Sequence, residues 1–392
     1  MQKYRIFISA PKGIPPILRR EIAGMGFPVA SEGISGVETE GTMDDAMRLN
    51  LHLRTGHRVL VLLMEFQATE PDELFRAAYS IAWEELIAED GYVCITSSVD
   101  TPTIRDSRFA TLRLKDAIVD KIKDKRGTRP DSGPERNRTV VHLYWNGERG
   151  SIYIDTSGEP LSRRGYRKIP LAAPMQETLA AAVVLATGWD GSTPFINPMC
   201  GSGTLAIEAA LIGLNRAPGL LRNNFGFMHI KGYNEARWNE LRDQAKKEMK
   251  KSLSAGIIAT DIESNAVEAA KRNAATAGVE QVIDFSVCDY AETPLPEGGG
   301  VIVLNPAYGE RMGEIEKLAA LYKGIGDFFK QKCRGFMGYV FTGNPALSKK
   351  VSLKPKRSLQ FYNSGIECRL LEYELYEGTR KFKKEKAKAE SE

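Results

Sequence analysis

Four short apolar runs in the second half of the chain each end in an amide or carboxylate side chain: Asn197, Asp261, Asp289 and Asn305. Helix-like segments alternate with these runs, beginning with a long one after Pro174. This alternation predicts an α/β fold with a doubly wound parallel sheet. Because the carboxyl ends of parallel strands lie at one edge of a sheet, we expect the four side chains to line the crevice where such sheets bind ligands.

The first run leads into a helix through a turn that contains two glycines, Gly201 and Gly203. Glycine lets the backbone approach a ligand, and the amino terminus of a helix presents free N–H groups to it. A phosphate-binding P-loop is excluded because no lysine follows Gly203. A dinucleotide fingerprint is matched only in its first half, since the region 220–223 lacks the acid expected about 20 residues further on.

The remaining interpretation is a class I methyltransferase site that binds S-adenosylmethionine. Such a site needs an acid after the second strand for the ribose hydroxyls and another after the third strand near the adenine, and Asp261 and Asp289 supply them. Each aspartate alone could simply end its strand, and the combination with the glycine turn favours the cofactor role. The stretch 215–254 departs from the pattern and is predicted to be an insertion before the second strand.

The fourth strand ends in Asn305-Pro306-Ala307-Tyr308. Methyl transfer to the exocyclic amine of a base is an in-line displacement that needs no metal but requires a poorly nucleophilic NH₂ group to be oriented. The Asn305 side-chain oxygen and the Pro306 carbonyl can each accept one amine hydrogen, and Tyr308 can stack on a flipped base. An ordinary Asn-Pro turn is the alternative, which the position at the end of the fourth strand disfavours.

In the first half of the chain the predicted strands and helices follow a different order. Strands are predicted at 4–10, 36–40 and 58–66, with helices at 15–25 and 43–53, which together indicate a small α+β unit.

A second unit follows with a helix at 73–87, a strand at 91–99, a basic helix at 108–125, and two strands at 140–145 and 151–155 that form a hairpin.

The net charge of +4, from 54 Lys and Arg against 50 Asp and Glu, excludes a uniformly basic protein. Basic residues are instead concentrated in patches, as at 105–138 and at 163–168. The five cysteines form no CxxC pair, so neither a zinc site nor a disulfide framework is expected, and a reducing, cytoplasmic location is favoured. No apolar run is long enough to span a membrane.

Several longer motifs resemble the THUMP-domain class I RNA methyltransferases, in particular the ribosomal large-subunit methyltransferase L family. They are Asn197-Pro-Met-Cys-Gly-Ser-Gly-Thr204, Arg216-Ala-Pro-Gly219, Asn305-Pro-Ala-Tyr-Gly-Glu-Arg-Met-Gly313, Ile154-Asp-Thr-Ser-Gly-Glu159, Arg163-Arg-Gly-Tyr-Arg167 and Ala173-Pro-Met-Gln-Glu-Thr-Leu-Ala-Ala181. Two positions depart from the family: Asn197 stands where Asp is usual, and Ala307 where a second Pro is usual.

The resemblance implies a ferredoxin-like unit (1–66), a THUMP RNA-binding domain (67–157) and a Rossmann-like methyltransferase domain (173–378). The charge pattern of the sequence predicts a basic linker (158–172) and a basic disordered tail (379–392). It also implies methylation of the N2 amine of a guanine in 23S rRNA. A tRNA guanine is the nearest alternative. A DNA adenine-N6 methyltransferase and a noncatalytic ribosome-assembly module are less favoured.

Specific residues follow from this interpretation. The residues expected to act on the base are Asn305, Pro306 and Tyr308. Those expected to hold S-adenosylmethionine are Asn197, Met199, Gly201, Gly203, Thr204, Asp261, Ile262, Asp289 and Tyr290. Those expected to contact RNA are Arg108, Arg113, Arg163, Arg164 and Arg167, although the helical arginines could equally form a solvated face.

Overall fold

A computed structural model describes residues 2–104, 106–169, 175–308 and 312–376, with no side-chain description for 312–315. The described chain divides into two compact units. The first comprises the residues up to Gly165 together with Arg216–Met249, and the second comprises Tyr166–Asn215 together with the residues from Lys250 onwards. Among the described residues, no helix is long and apolar enough to cross a membrane. The predicted tail at 379–392 lies outside the described residues.

The first unit is built on one mixed sheet. Its elements are β1 (Tyr4–Ser9), α1 (Pro15–Gly24), β2 (Ser31–Gly33), β3 (Gly36–Gly41), α2 (Met43–His52), β4 (Arg58–Gln67), α3 (Pro71–Ser80), α4 (Trp83–Leu86), β5 (Tyr92–Asp100), α5 (Ser107–Arg126), β6 (Asp131–Ser132), β7 (Thr139–Asn146) and β8 (Arg149–Asp155). The strand order within the described residues is β2-β3-β1-β4-β8-β7-β5-β6. Antiparallel pairing of β4 with β8 therefore joins the two predicted α+β regions into a single sheet.

The predicted helix at 73–87 is wrong, because it is broken after Ser80. Ile81 adopts an extended conformation (ψ 140°), and α4 begins two residues later. The buried Trp83 indole donates a hydrogen bond to the Ala78 carbonyl, and the Ser80 hydroxyl donates to the Ala77 carbonyl. Both side chains therefore donate hydrogen bonds to carbonyls near the end of α3. The break in the helix after Ser80 is compatible with the buried position of the tryptophan.

The insertion 216–249 folds with the first unit and contains helix α8 (Glu235–Lys247). Its Arg222 guanidinium is buried, lies 4.5 Å from the centre of the Phe225 ring and donates to the Ser157 and Glu159 carbonyls. The Phe227 N–H donates to the Thr156 carbonyl at 3.0 Å. These hydrogen bonds hold the insertion against the end of β8.

The second unit contains α6 (Glu177–Thr187), β9 (Phe195–Pro198), α7 (Thr204–Gly213), β10 (Ile257–Asp261), α9 (Ser264–Ala277), β11 (Ile283–Val287), β12 (Gly300–Leu304), α10 (Met312–Gln331), β13 (Phe336–Thr342), α11 (Pro345–Ser348), β14 (Arg357–Asn363) and β15 (Ile366–Glu374). Over the described residues the strand order is β11-β10-β9-β12-β13-β15-β14. The first five strands are parallel and have the 3-2-1-4-5 order of a Rossmann-like sheet, with the topological switch point between β9 and β12.

The sheet is mixed rather than wholly parallel as the strand–helix alternation predicted. Strand β15 pairs antiparallel with both β13 and β14. The turn between β14 and β15 places Ser364 (φ 49°) and Gly365 (φ 89°) in the left-handed region, as a tight two-residue hairpin requires. The core of this unit lies between the sheet and α10, where Ile302, Tyr322 and Phe329 are fully buried.

Candidate functional site

The glycine turn after β9 is tied to the end of the neighbouring strand β10. The Cys200 N–H donates to the Thr260 carbonyl at 2.9 Å, and the Gly201 N–H donates to Asp261 Oδ2 at 2.9 Å. Met199, Gly201 and Gly203 all have positive φ, at 57°, 53° and 82°. The turn is therefore a fixed left-handed structure at the carboxyl edge of the sheet, next to its switch point.

The two glycines of this turn are required for different reasons. A Cβ atom at Gly203 would lie 2.8 Å from the Cβ of Ala270, so this glycine allows α9 to approach the start of α7. A Cβ atom at Gly201 would have no heavy atom of the described residues within 4 Å. Gly201 therefore faces open space and leaves room for a ligand to lie against the backbone.

Thr204 begins α7 and is buried. Its hydroxyl accepts a hydrogen bond from Arg167 Nη2 at 3.2 Å, so its side chain is already engaged within the unit. Met199 is half-buried and packs against the core of the second unit.

The carboxyl ends of β10 and β11 present acidic and apolar side chains side by side. Asp261 is half-buried and also accepts from the Glu263 N–H through Oδ1, and Asp289 accepts from the Ala291 N–H at 2.9 Å. Ile262 and Val287 expose 64% and 52% of their surface, although both are large apolar residues. An exposed apolar pair beside two carboxylates suits the face and edge of a purine ribonucleoside.

Tyr290 directs its side chain into the core instead. A Cβ atom at Gly324 would lie 2.3 Å from the Tyr290 hydroxyl, and the Tyr290 ring packs edge-on against Phe328 at 5.8 Å. Burial raises the pKa of Tyr290. Val287, which the sequence analysis missed, has the better exposure for contact with a ligand; its signal in the sequence is its place at the end of a strand, two residues before Asp289.

Asn197 and Asn305, near the carboxyl ends of the neighbouring strands β9 and β12, each bury an acceptor. Asn197 is fully buried, and its Nδ2 donates to the Val303 carbonyl at 2.9 Å. The Oδ1 atoms of Asn197 and Asn305 are both buried without a hydrogen-bond partner among the described residues. An orphaned buried acceptor costs about 1–3 kcal/mol, so these two oxygens fit a site whose ligands supply N–H donors.

Tyr308 is anchored through its hydroxyl group. The hydroxyl accepts a hydrogen bond from Asn363 Nδ2 at 2.9 Å, and the ring packs closely on Gly343, where a Cβ atom would lie 3.0 Å from the ring. Burial raises the pKa of Tyr308. Pro306 is buried and Ala307 is exposed, while Gly309, Glu310 and Arg311 lie outside the described residues. The sequence analysis missed Asn363, which follows no motif and reaches Tyr308 only through the β14–β15 hairpin.

The arginines predicted to contact RNA fall into two groups. Arg108 is 87% exposed beside Asp106, and Arg163 is 73% exposed beside Glu159. Arg113 is partly covered, since it pairs with Asp72 and lies 4.6 Å from the centre of the Phe75 ring.

Arg164 and Arg167 require a correction. Arg164 is 1% exposed in the first unit and donates to the carbonyls of Leu161 and Arg54. In the second unit, Arg167 is 16% exposed and donates to the Met175 carbonyl at 2.6 Å. Both guanidinium groups hold backbone carbonyls inside their units, so neither is free to contact phosphates and the segment is not a loosely basic linker.

No group of three or more His, Cys, Asp or Glu side chains that could hold a metal ion occurs in the part of the chain that the structure describes.

Comparison with known proteins adds three domain matches. Residues 164–372 match an RMKL-like methyltransferase domain, residues 5–60 match an RlmL ferredoxin-like domain, and residues 68–155 match a THUMP domain. The first match covers more than half of the chain.

Individual relatives agree with the domain matches. The ribosomal RNA large subunit methyltransferase K/L of Syntrophotalea carbinolica is 36% identical over 383 residues, 95% of this chain and 54% of that protein. The chain thus spans about half the length of this relative. A Synechocystis protein named as an RNA methyltransferase, slr0064, is 32% identical over 94% of this chain and 96% of its own length.

Among solved structures, SMU.472, described as a methyltransferase and complexed with SAH, superposes with a TM-score of 0.86. It is 27% identical and covers 97% of this chain and 99% of its own. With the site geometry and the domain matches, these similarities show that the chain belongs to the RMKL-like methyltransferase family.

Proposed function

We propose that this chain transfers the methyl group of S-adenosylmethionine to the exocyclic N2 amine of a guanine in 23S rRNA. The observation that supports the proposal most directly is the buried Oδ1 of Asn305, which has no hydrogen-bond partner among the described residues. Asn305 directly follows β12, at the edge of the sheet that also holds the glycine turn. The K/L relatives are named for ribosomal RNA of the large subunit, and SMU.472 is complexed with SAH. An rRNA substrate would place the enzyme in the cytoplasm.

The residues present fit the cofactor. Gly201 leaves open space beside the backbone, Asp261 retains carboxylate lone pairs for ribose hydroxyls, and Asn197 Oδ1 is an acceptor for the methionine amine. Asp289 with the exposed Ile262 would receive the adenine. When bound, S-adenosylmethionine supplies an electrophilic methyl group on a sulfonium that leaves with the C–S electron pair.

The residues of the chain would orient the base. The Asn305 oxygen and the Pro306 carbonyl each accept one hydrogen of the amine, which fixes the direction of its lone pair. Tyr308, held by Asn363, would stack on the flipped base. After transfer the nitrogen loses one proton, and water suffices to take it. No general base is needed for this step.

The RNA would be docked by the first unit. We keep the segments 1–66, 67–157, 173–378 and 379–392 as proposed boundaries, with the insertion 216–249 folding in the first unit. The segment 158–172 stays as the join between the domains, in which Arg164 and Arg167 are largely buried. Of the RNA contacts predicted from the sequence, Arg108 and Arg163 are the most accessible, and Arg113 retains partial access.

The test is methyl transfer from labelled S-adenosylmethionine to unmodified 23S rRNA, to tRNA and to DNA, followed by mass mapping of the product. Asn305→Ala should lower kcat by about 10²-fold or more, because the amine is no longer oriented, while calorimetric binding of S-adenosylmethionine is unchanged. The control is Asn234→Ala, which removes only the N-cap of α8. Transfer to tRNA alone would show that tRNA, and not 23S rRNA, is the substrate. An Asn305→Ala enzyme as active as wild type would refute the proposed role of Asn305 in orienting the amine. Failure to bind S-adenosylmethionine would favour a noncatalytic RNA-binding module.

A further inference from the structure

A basic cleft of about 380 Å³ lies in the second unit, at the edge of the sheet opposite the candidate site. Its lining comes from the end of α10, Arg334 just before β13, the end of β15 with the two residues after it, and the segment before β14. Because β15 runs antiparallel to β13, the end of β15 lies beside the start of β13, with Glu374 opposite Met337. The cleft therefore lies at the amino-terminal edge of the parallel strands.

Positive charge is concentrated in this cleft. Four exposed cationic side chains line it, and Glu374 is the single carboxylate among the described residues of the lining. The cations are Lys330, Arg334, Lys354 and Lys356. The Glu374 carboxylate lies 3.8 Å from Lys356 Nζ, and Asp327, outside the lining, lies 3.7 Å from Lys330 Nζ. Among the described side chains of this concave surface, positive charge thus exceeds negative charge, which favours the binding of an anion.

The cleft has a fixed frame. The Gly335 N–H donates to the Leu375 carbonyl at 2.8 Å, and the Lys356 N–H donates to the Glu372 carbonyl at 2.7 Å. These bonds hold the segments that carry Arg334 and Lys356 to strand β15. The four cations therefore come from three separate segments, which are the end of α10, the residues before β13 and the segment before β14.

We propose that this cleft is a second RNA-binding surface that holds backbone phosphates of the substrate RNA, an inference that rests on the proposed function. Strand β13 has seven residues, so the two edges of the sheet are about 20 Å apart at about 3.3 Å per residue. A short RNA whose nucleotides extend less than about 20 Å from the candidate site does not reach the cleft. A long RNA that wraps around the second unit does, and its phosphates would replace counterions around the four cations.

The experiment compares two double variants of equal charge change. Lys354→Gln with Lys356→Gln removes two cations from the cleft, while Lys349→Gln with Lys350→Gln removes two exposed lysines just outside its lining. Each variant is titrated with a long 23S rRNA fragment and with a short hairpin over a range of salt concentrations. Thermal unfolding and calorimetric binding of S-adenosylmethionine report whether the fold and the cofactor site are intact.

For the long RNA, the cleft variant should bind about tenfold more weakly at 0.1 M salt, and its slope of log K against log salt should fall by about 1.5. The hairpin affinity should be unchanged, as should both affinities of the control variant within about twofold. Equal weakening by both variants, equal weakening for both RNAs, or no weakening at all would overturn the proposal. The readout is binding, so a protein that does not methylate 23S rRNA but shows this length-dependent difference would refute the proposed function alone.

Discussion

Alanine at Gly201 and alanine at Gly203 are expected to impair the protein in different ways. Both glycines have left-handed backbone conformations, at φ 53° and φ 82°. An L-residue there costs about 1–2 kcal/mol, and the loss of glycine's freedom in the unfolded chain offsets about 0.4–1 kcal/mol. The backbone cost alone is therefore about 1 kcal/mol for either variant.

The surroundings separate the two substitutions. The new Cβ of Gly203→Ala would lie 2.8 Å from that of Ala270, well inside van der Waals contact, whereas the new Cβ of Gly201→Ala would meet no atom of the described residues within 4 Å. Overpacking of this kind costs a further 1–3 kcal/mol or so. Gly203→Ala should therefore destabilise the second unit by about 2–4 kcal/mol, which is a fall in Tm of roughly 5–10 °C.

Cofactor affinity should show the opposite order. In Gly201→Ala the methyl group occupies the open space where S-adenosylmethionine would lie, so the affinity should fall at least about tenfold, equivalent to about 1.4 kcal/mol. Calorimetric titration at a temperature where every variant is folded measures this affinity, and thermal unfolding measures the stability.

Gly188→Ala is the matched control for both measurements. Gly188 ends α6 in the same unit with φ 77°, and a Cβ atom there would also have no described neighbour within 4 Å. It should show the backbone cost of about 1 kcal/mol and unchanged cofactor affinity. Cofactor binding by Gly201→Ala equal to that of Gly188→Ala would refute the assignment of this turn, and equal stability of Gly203→Ala and Gly188→Ala would refute the packing argument.

Two further predictions concern single contacts. Tyr308→Phe and Asn363→Ala each remove the hydrogen bond between these side chains, so each should lower kcat/KM about two- to tenfold. The double variant should be no worse than Tyr308→Phe, and additive losses in the methylation assay would contradict the pairing. Burial lowers the pKa of His57 and of His142 to about 4, so the unfolded chain binds protons below pH 6.5 that the folded chain does not. The free energy of unfolding should therefore decrease as the pH is lowered from 6.5 to 4, by up to about 1.4 kcal/mol per pH unit for each histidine. Urea unfolding of His57→Gln should show a smaller decrease over this range. The same pH dependence in His57→Gln and wild type would refute this.

Local pattern explains why much of the fold could be predicted. The strand before Asn197 and the strand before Asn305 are apolar runs with a turn signal at their carboxyl ends, and both form with the expected boundaries to within about two residues. The capping box of Thr42 and Asp45 begins α2 where the periodicity starts. These features depend on neighbours within a few residues, which the sequence displays directly.

Long-range contacts explain what the sequence could not predict. Arg164 belongs to a basic run that looks like a solvated linker, yet it is buried because carbonyls from 53–54 lie beside it, more than 100 residues earlier in the chain. The insertion 216–249 has no signal that assigns it to the first unit, because Arg222 finds its carbonyl acceptors at 157–160. A run of basic residues has the same sequence pattern whether its arginines are solvated or donate hydrogen bonds to buried carbonyls.

The departure at Asn197 illustrates how a substitution in the site can preserve its chemistry. Nδ2 of Asn197 donates to the Val303 carbonyl and so joins β9 to β12 at the switch point, a bond that an ionised aspartate could not make. Because the amide nitrogen is committed to that carbonyl, the orientation of the side chain is fixed, and Oδ1 remains an acceptor with no partner in the described part of the chain. The full negative charge of the usual aspartate is thus exchanged for a neutral acceptor with a fixed direction. A side chain whose orientation is already fixed loses less conformational entropy when it binds a ligand amine. This smaller entropy loss offsets part of the binding free energy that the neutral amide loses relative to a charged aspartate.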